Sequence, residues 1–203
     1  MSCTISQDII NQTIAFHGHS CPGLAIGIRA AEMAEKQLGK IHQNDLVCVA
    51  ETDMCGVDAI QFLTGCTAGK GNLIQKDYGK MAFSFYNRKD NSGVRLVFNN
   101  SAWGTMNEEF MDLMDRGNRG LLSADEQARL GQMRSEMQQR LMTLPVEEVF
   151  TAQSLTDRPP RGARVLASLE CADCGERTME SRTRRFAGQT LCIPCYQKVE
   201  QKI

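Results

Sequence analysis

The chain has 203 residues, 42% hydrophobic and 23% charged, which suits one sizeable core plus a small appended module. No apolar stretch approaches the roughly 20 residues that cross a bilayer. The start, Met1-Ser2-Cys3-Thr4-Ile5-Ser6-Gln7-Asp8, lacks a basic segment followed by an apolar run, so a cytoplasmic protein without a signal peptide is expected. The formal charge of −1 is unevenly spread: nine Lys/Arg against five Asp/Glu from Arg158 onward, fourteen against nineteen before it.

In chain order, Ile9, Ile10, Ile14 and Phe16 recur at helical spacing and predict a first helix over about 6–16. The polar stretch His17-Gly18-His19-Ser20-Cys21 follows, and Pro22 is placed to open a second helix carrying Leu24, Ile28, Ala31 and Met33. Gly39 supplies the stop. Leu46–Ala50 reads as a buried strand, and a short helix with Val57, Ile60 and Phe62 follows Cys55-Gly56. Gly65–Asn72 is a glycine-rich loop. Lys80–Asn87 and Val94–Phe98 predict a hairpin across a polar turn.

From about Thr105 the pattern is helical again. Ser123-Ala124-Asp125-Glu126 matches a capping box that opens a helix with Leu130, Met133, Met137 and Leu141 on one face. The methionines read as core filler. Val146–Phe150 is a short element, and Arg158-Pro159-Pro160-Arg161-Gly162 is the best linker. It divides the sequence into a core at 1–157 and a small module at 158–203. Helices and strands alternate without a βαβ rhythm, so the core is expected to be α+β, helices packed on a small sheet.

Nine cysteines are many for a reducing compartment, where metal ligation, catalysis or burial outweigh disulfides. Cys171-Ala172-Asp173-Cys174 and Cys192-Ile193-Pro194-Cys195 form two Cys-x-x-Cys pairs with seventeen residues between them. That is the spacing of zinc ribbons and treble clefs, in which two tight knuckles complete a tetrahedron of sulfurs. Zinc is the leading ion, and a rubredoxin-like iron site is the rival. Gly188 is expected to turn a hairpin, and Tyr196–Ile203 to form a short helix. A closed four-sulfur site is structural, and a piece this small depends on its metal to fold. Arg182, Arg184 and Arg185 could touch phosphates or form a solvated face. Four zinc-bound thiolates leave the tail only mildly basic, weak support for a nucleic-acid surface, so nucleic-acid or protein binding through the finger ranks last among the readings.

His17, His19 and Cys21 are spaced two apart, so an extended segment would turn all three to one face. A thiol just before a helix is stabilised as thiolate by the free backbone N–H groups, and can be nucleophile or ligand. Cys55 lies at a strand-to-helix turn. Gly65-Cys66-Thr67-Ala68-Gly69-Lys70-Gly71-Asn72 fails the P-loop pattern, having no Ser/Thr after the lysine. It reads equally as an anion-holding loop with Lys70 or as a tight structural loop. Cys48 reads as core, and Cys3 as without a role.

Phe16-His17-Gly18-His19-Ser20-Cys21-Pro22-Gly23-Leu24-Ala25-Ile26-Gly27, Cys55-Gly56-Val57-Asp58-Ala59-Ile60-Gln61 and Thr64-Gly65-Cys66-Thr67-Ala68-Gly69-Lys70-Gly71-Asn72-Leu73 closely resemble the FmdE family of formylmethanofuran dehydrogenase components. With the terminal cysteine pairs, the resemblance spans nearly the whole chain. It implies an α+β core, a C-terminal zinc finger and a homodimer, with an active or metal site at His17, His19, Cys21, Cys55 and Cys66.

The resulting expectation is a second, open metal site of unidentified metal, held by His17, His19, Cys21 and Cys55. Cys21, Cys55 and Lys70 are the candidate catalytic residues, and Asp58, Cys66 and Asn72 would contact a cofactor or substrate of one-carbon or pterin type. The alternative is a non-enzymatic protein that carries or senses metal, or assists a larger molybdenum or tungsten redox enzyme.

Overall fold

The computed structural model describes residues 2–199, the side chains of 105–107 excepted. Its contacts divide the chain into two compact units, 1–162 and 163–203. Among the described residues no helix is long and apolar enough to cross a membrane.

The first unit opens with α1 (Gln7–His17), capped by the Ser6 hydroxyl and ended by Gly18 in the left-handed region at φ 93°. Helix α2 (Pro22–Leu38) follows at once, with Cys21 as its N-cap and Gly39 as its C-cap. Then come β1 (Leu46–Ala50), α3 (Gly56–Thr64), β2 (Leu73–Gln75), β3 (Ala82–Asn87) and β4 (Gly93–Phe98). A 3-10 segment (Asn100–Met106) leads into α4 (Asn107–Asn118), α5 (Ala124–Thr143), α6 (Val146–Val149) and β5 (Phe150–Ser154). The expected capping box is present at Ser123 and Glu126.

The five-stranded sheet has the order β2-β1-β3-β4-β5. Only β1 and β2 run parallel, joined through α3; the remaining neighbours are antiparallel. The sequence reading missed β2 and stopped at Phe150, where the second edge strand begins. Both are short edge strands whose pairing is decided by partners distant in sequence.

Helix α2 is the spine of this unit. Every residue from Leu24 to Ala34 is buried, the pattern of a helix apolar all round. It packs on α3 and α5 and over β3 and β4. The exceptions to its apolar character are Arg29 and Glu32, paired at 2.7 Å. Glu32 also accepts from the Thr4 N–H and hydroxyl at 2.8 and 2.9 Å, and Arg29 donates to the Leu141 carbonyl at 3.0 Å. Those bonds offset the desolvation of two buried charges and tie the N-terminal segment and α5 to the spine.

The second unit is a compact pair of hairpins. Strands β6 (Ser168–Glu170) and β7 (Arg177–Met179) bracket the first cysteine knuckle. Strands β8 (Thr183–Phe186) and β9 (Gln189–Cys192) form the second hairpin and run into α7 (Ile193–Val199). Its turn, Ala187-Gly188, has φ of 47° and 80°. Positive φ at both central positions suits the twist of a two-residue hairpin, where glycine costs little and alanine is unusual. The helix expected over Tyr196–Ile203 starts earlier, at Ile193; residues 200–203 lie outside those described.

Candidate metal centres

In the second unit the sulfurs of Cys171, Cys174, Cys192 and Cys195 lie within 4.8 Å of one another. Gly175, at φ 74°, turns the chain after the first pair, and its N–H donates to the Cys171 carbonyl at 2.9 Å. Backbone N–H groups of Cys174 and then Cys192 point at the Cys171 sulfur and lower its thiol to about 6. Such a sulfur is ready to ligate as thiolate at neutral pH. The apolar content beneath is slight, Leu191 with Phe186 edge-on to Tyr196. A metal must therefore supply much of the stability of this unit.

In the first unit, one donor atom from each of His17, His19, Cys21 and Cys55 falls within the same 4.8 Å limit. Two donors bound to one ion at about 2.0–2.3 Å lie at most about 4.6 Å apart. Small side-chain adjustments would suffice to gather all four on a metal, and mixed imidazole and thiolate donors suit a borderline or soft ion.

The convergence does not come from an extended segment, as the two-residue spacing suggested. His17 is the last residue of α1, and the left-handed Gly18 reverses the chain, so the rings of His17 and His19 stack at 4.4 Å between centroids. His17 Nδ1 is 2.7 Å from Asp58 Oδ2, and its Nε2 faces Cys21 Sγ at 3.9 Å. A carboxylate on one ring nitrogen leaves the other to face a ligand, the usual arrangement behind a metal-bound histidine. Asp58 is itself steadied by Gln61 Nε2 at 3.3 Å.

Cys21 is half-buried, and its sulfur accepts from the Leu24 N–H at 3.3 Å as the cap of α2. Cys55 is brought in from α3. A Cβ on Gly23 would lie 3.3 Å from Cys55 Cβ, so the absence of a side chain there lets Cys55 approach. Burial, followed by the neighbouring Cys21, pushes the Cys55 thiol up. Two adjacent thiols resist simultaneous ionisation, and a bound cation would relieve that.

The other sequence candidates fall elsewhere. Cys66 follows the C-terminus of α3, about 13 Å of helix away from Cys55. It is fully buried, with its sulfur 3.6 Å from the Leu46 carbonyl. Asn72 is 2% exposed and is consumed by the loop: its Oδ1 accepts from Thr67 N–H, and its Nδ2 donates to Gln43 and Leu46 carbonyls. Lys70 is exposed, with Nζ 3.4 Å from Gln43 Oε1.

The N–H groups of Thr67, Lys70 and Gly71 have partners inside the loop, and that of Cys66 donates to the Thr64 hydroxyl at the end of α3. Much of the hydrogen-bonding capacity of Gly65–Asn72 is thus taken up close to the loop itself. Cys66, Lys70 and Asn72 do not reach the cluster, whereas Asp58 does. Gln61, which closes the Cys55–Gln61 motif but is not among the expected site residues, also belongs beside the cluster, one helical turn from Asp58.

Fold and donor sets together describe a metal-binding protein, an α+β domain followed by a four-cysteine finger. The chain belongs to the FmdE family: the profile described as FmdE, molybdenum formylmethanofuran dehydrogenase operon, matches residues 16–151. Residues 166–201 match the prokaryotic dksA/traR C4-type zinc finger, which favours zinc over the iron alternative. A probable S-adenosyl-L-methionine-binding protein of Archaeoglobus fulgidus is 30% identical over 188 residues. That match takes in 89% of this chain and 50% of the relative, so the chain spans about half the relative's length. The crystal structure of a tungsten formylmethanofuran dehydrogenase FmdE-like protein from Syntrophus aciditrophicus has a TM-score of 0.64 at 22% identity. It covers 98% of this chain and 96% of the other, a likeness of fold.

Proposed function

We propose that the first unit holds a second metal ion on His17, His19, Cys21 and Cys55, and that the protein is a metal-dependent enzyme acting on a one-carbon or pterin-like substrate. The observation that carries this is the gathering of four donor atoms from α1, its following turn, the α2 cap and the α3 cap within 4.8 Å. A bound ion there would supply Lewis-acid polarisation of a substrate oxygen. Asp58 orients His17, Gly23 admits Cys55, and the α2 N-terminus steadies Cys21.

A non-enzymatic role in carrying metal, or in assisting a larger redox enzyme, draws support from a different observation. His19 is exposed and Cys21 and Cys55 are only half-buried, although the His17 side chain is just 9% exposed; three accessible donors suit exchange with solvent or a partner. The homodimer belongs to the proposal as well, to be tested by light scattering. The description of the Archaeoglobus relative makes S-adenosyl-L-methionine a further ligand to titrate. Binding by this chain would place that ligand's site in the shared half.

Elemental analysis of the intact chain and of Cys21→Ser and Cys55→Ser decides the metal proposal. Each variant is expected to lose one metal equivalent and to keep the equivalent held by the finger. Unchanged stoichiometry in both variants would sink it. Rapid loss of the core ion to a chelator, with no turnover on one-carbon substrates, would favour the carrier role.

A further inference from the structure

Of the five cysteines in the first unit, Cys21 and Cys55 belong to the donor cluster, with their sulfurs within 4.8 Å of one another. Each stands at the N-cap of its helix, Cys21 of α2 and Cys55 of α3. A disulfide closes such a gap to about 2.05 Å, and each sulfur can swing toward the other by rotation about its own Cα–Cβ bond.

The pair is also within reach of solvent. Both residues are half-buried, and Cys21 lines a groove between α1, α2 and α5. Cys48 and Cys66 are wholly buried, and burial pushes the Cys48 thiol well up. Thiols of that kind are inert. Burial also raises the Cys3 thiol, which lies beside Glu32, about 16 Å of helix away from Cys21.

Cys21 has the neighbours that a nucleophilic sulfur needs. The Leu24 N–H donates to it at 3.3 Å, and His17 Nε2 faces it at 3.9 Å with Asp58 behind the ring. A thiol beside a carboxylate-backed imidazole, with a second thiol close by, is the arrangement of a nucleophile and its resolving partner.

We propose that Cys21 and Cys55 are a redox-active pair, oxidised by a small peroxide to a disulfide in preference to the other cysteines of the first unit. The Cys21 sulfur attacks one oxygen of hydrogen peroxide, the O–O bond breaks, and the far hydroxyl leaves as water with the thiol proton. The Cys55 sulfur then attacks the sulfenic acid left on Cys21. The S–S bond forms, the S–O bond breaks, and the hydroxyl leaves with the Cys55 proton as a second water. Two electrons thus pass from the two thiols to the peroxide. The disulfide withdraws two of the four candidate donors, so bond and ion exclude each other; that consequence rests on the cluster being a metal site.

The test treats the full-length protein with one equivalent of hydrogen peroxide, with its complement of metal and again after a chelator has removed the core ion. Non-reducing peptide mapping, free-thiol counts and elemental analysis are read for the wild type, Cys21→Ser, Cys55→Ser and Cys3→Ser. Circular dichroism checks the fold of each.

The wild type is expected to lose two thiols from the first unit, to yield a linked Cys21–Cys55 peptide and to release its core ion. Dithiothreitol should restore both thiols, and Cys3→Ser should behave as the wild type does. Cys55→Ser should leave a Cys21 sulfenic acid that dimedone traps. Cys21→Ser, which keeps a good helix cap, should form no disulfide in the first unit. Intact Cys21 and Cys55 thiols in both preparations overturn the proposal, as does a sulfinic acid on Cys21 beside a free Cys55, or a disulfide to another cysteine. Those results spare the metal site. A linked pair in a first unit that held no ion, or that keeps its ion, supports the redox pair and defeats the metal reading.

Discussion

A Cβ built on Gly27 would lie 2.1 Å from the carbonyl oxygen of Gly56. Helices α2 and α3 therefore cross in direct backbone contact, and Gly56 immediately follows Cys55. The same crossing that packs the core sets how close Cys55 comes to Cys21.

Gly27→Ala is expected to destabilise the first unit by about 1–3 kcal/mol, because the obstructing atom is backbone and cannot swing aside. Gly131→Ala, on the open face of α5, is expected to stabilise by about 0.5–1 kcal/mol through helix propensity. Urea denaturation of the two variants should give opposite signs. Matching signs would mean that the close crossing is not what Gly27 serves.

Asp58→Ala removes the carboxylate behind His17 without opening a buried cavity, since the Asp58 side chain is 41% exposed. Affinity of the core for its metal is expected to fall about 10–100-fold, with little change in melting temperature. Competition against a chromogenic chelator measures the first and thermal denaturation the second.

Glu51 takes two hydrogen bonds from Arg95, at 2.6 and 2.8 Å. Those bonds hold its carboxyl below the usual range despite opposition from burial. A carboxyl with a lowered folded-state value contributes stability above its unfolded value of about 4.3, and loses it as pH falls toward the folded value. Arg95→Gln should therefore cost about 1–3 kcal/mol at neutral pH. The gap from wild type should narrow below about pH 4, as read by urea melts at several pH values.

Cys174→Ser, or a strong chelator, is expected to abolish the fold of residues 163–203 while the first unit melts as before. The hairpins of the second unit enclose Leu191 as the one aliphatic side chain of their buried cluster, among the described residues. Heteronuclear NMR would show finger resonances collapsing to random-coil positions with those of the sheet unmoved.

Much of this was legible in the sequence. Apolar periodicity placed α1, α2 and α5, Ser123 and Glu126 announced a cap, and the paired knuckles announced the finger, because each of these signals is local. The His/Cys donors were legible as a group, but the reason for their meeting was not. It depends on the left-handed turn at Gly18 and on the contact of Gly27 with Gly56, which joins positions 29 residues apart. Lys70 and Asn72 lie away from the cluster for the converse reason: a glycine-rich loop looks the same in sequence whether its N–H groups face a ligand or, as those of Thr67, Lys70 and Gly71 do, other atoms of the loop.

Cys21 does two things at once, capping α2 through its sulfur while standing among the candidate donors. Serine is among the best residues at that cap, so a change from cysteine to serine would preserve the start of the spine helix while removing a soft ligand. Selection for a folded chain would not notice such a change; only selection for whatever the cluster does would. A lineage that lost the activity could keep this architecture intact for a long time, and the residue at position 21 would be the place to look for that history.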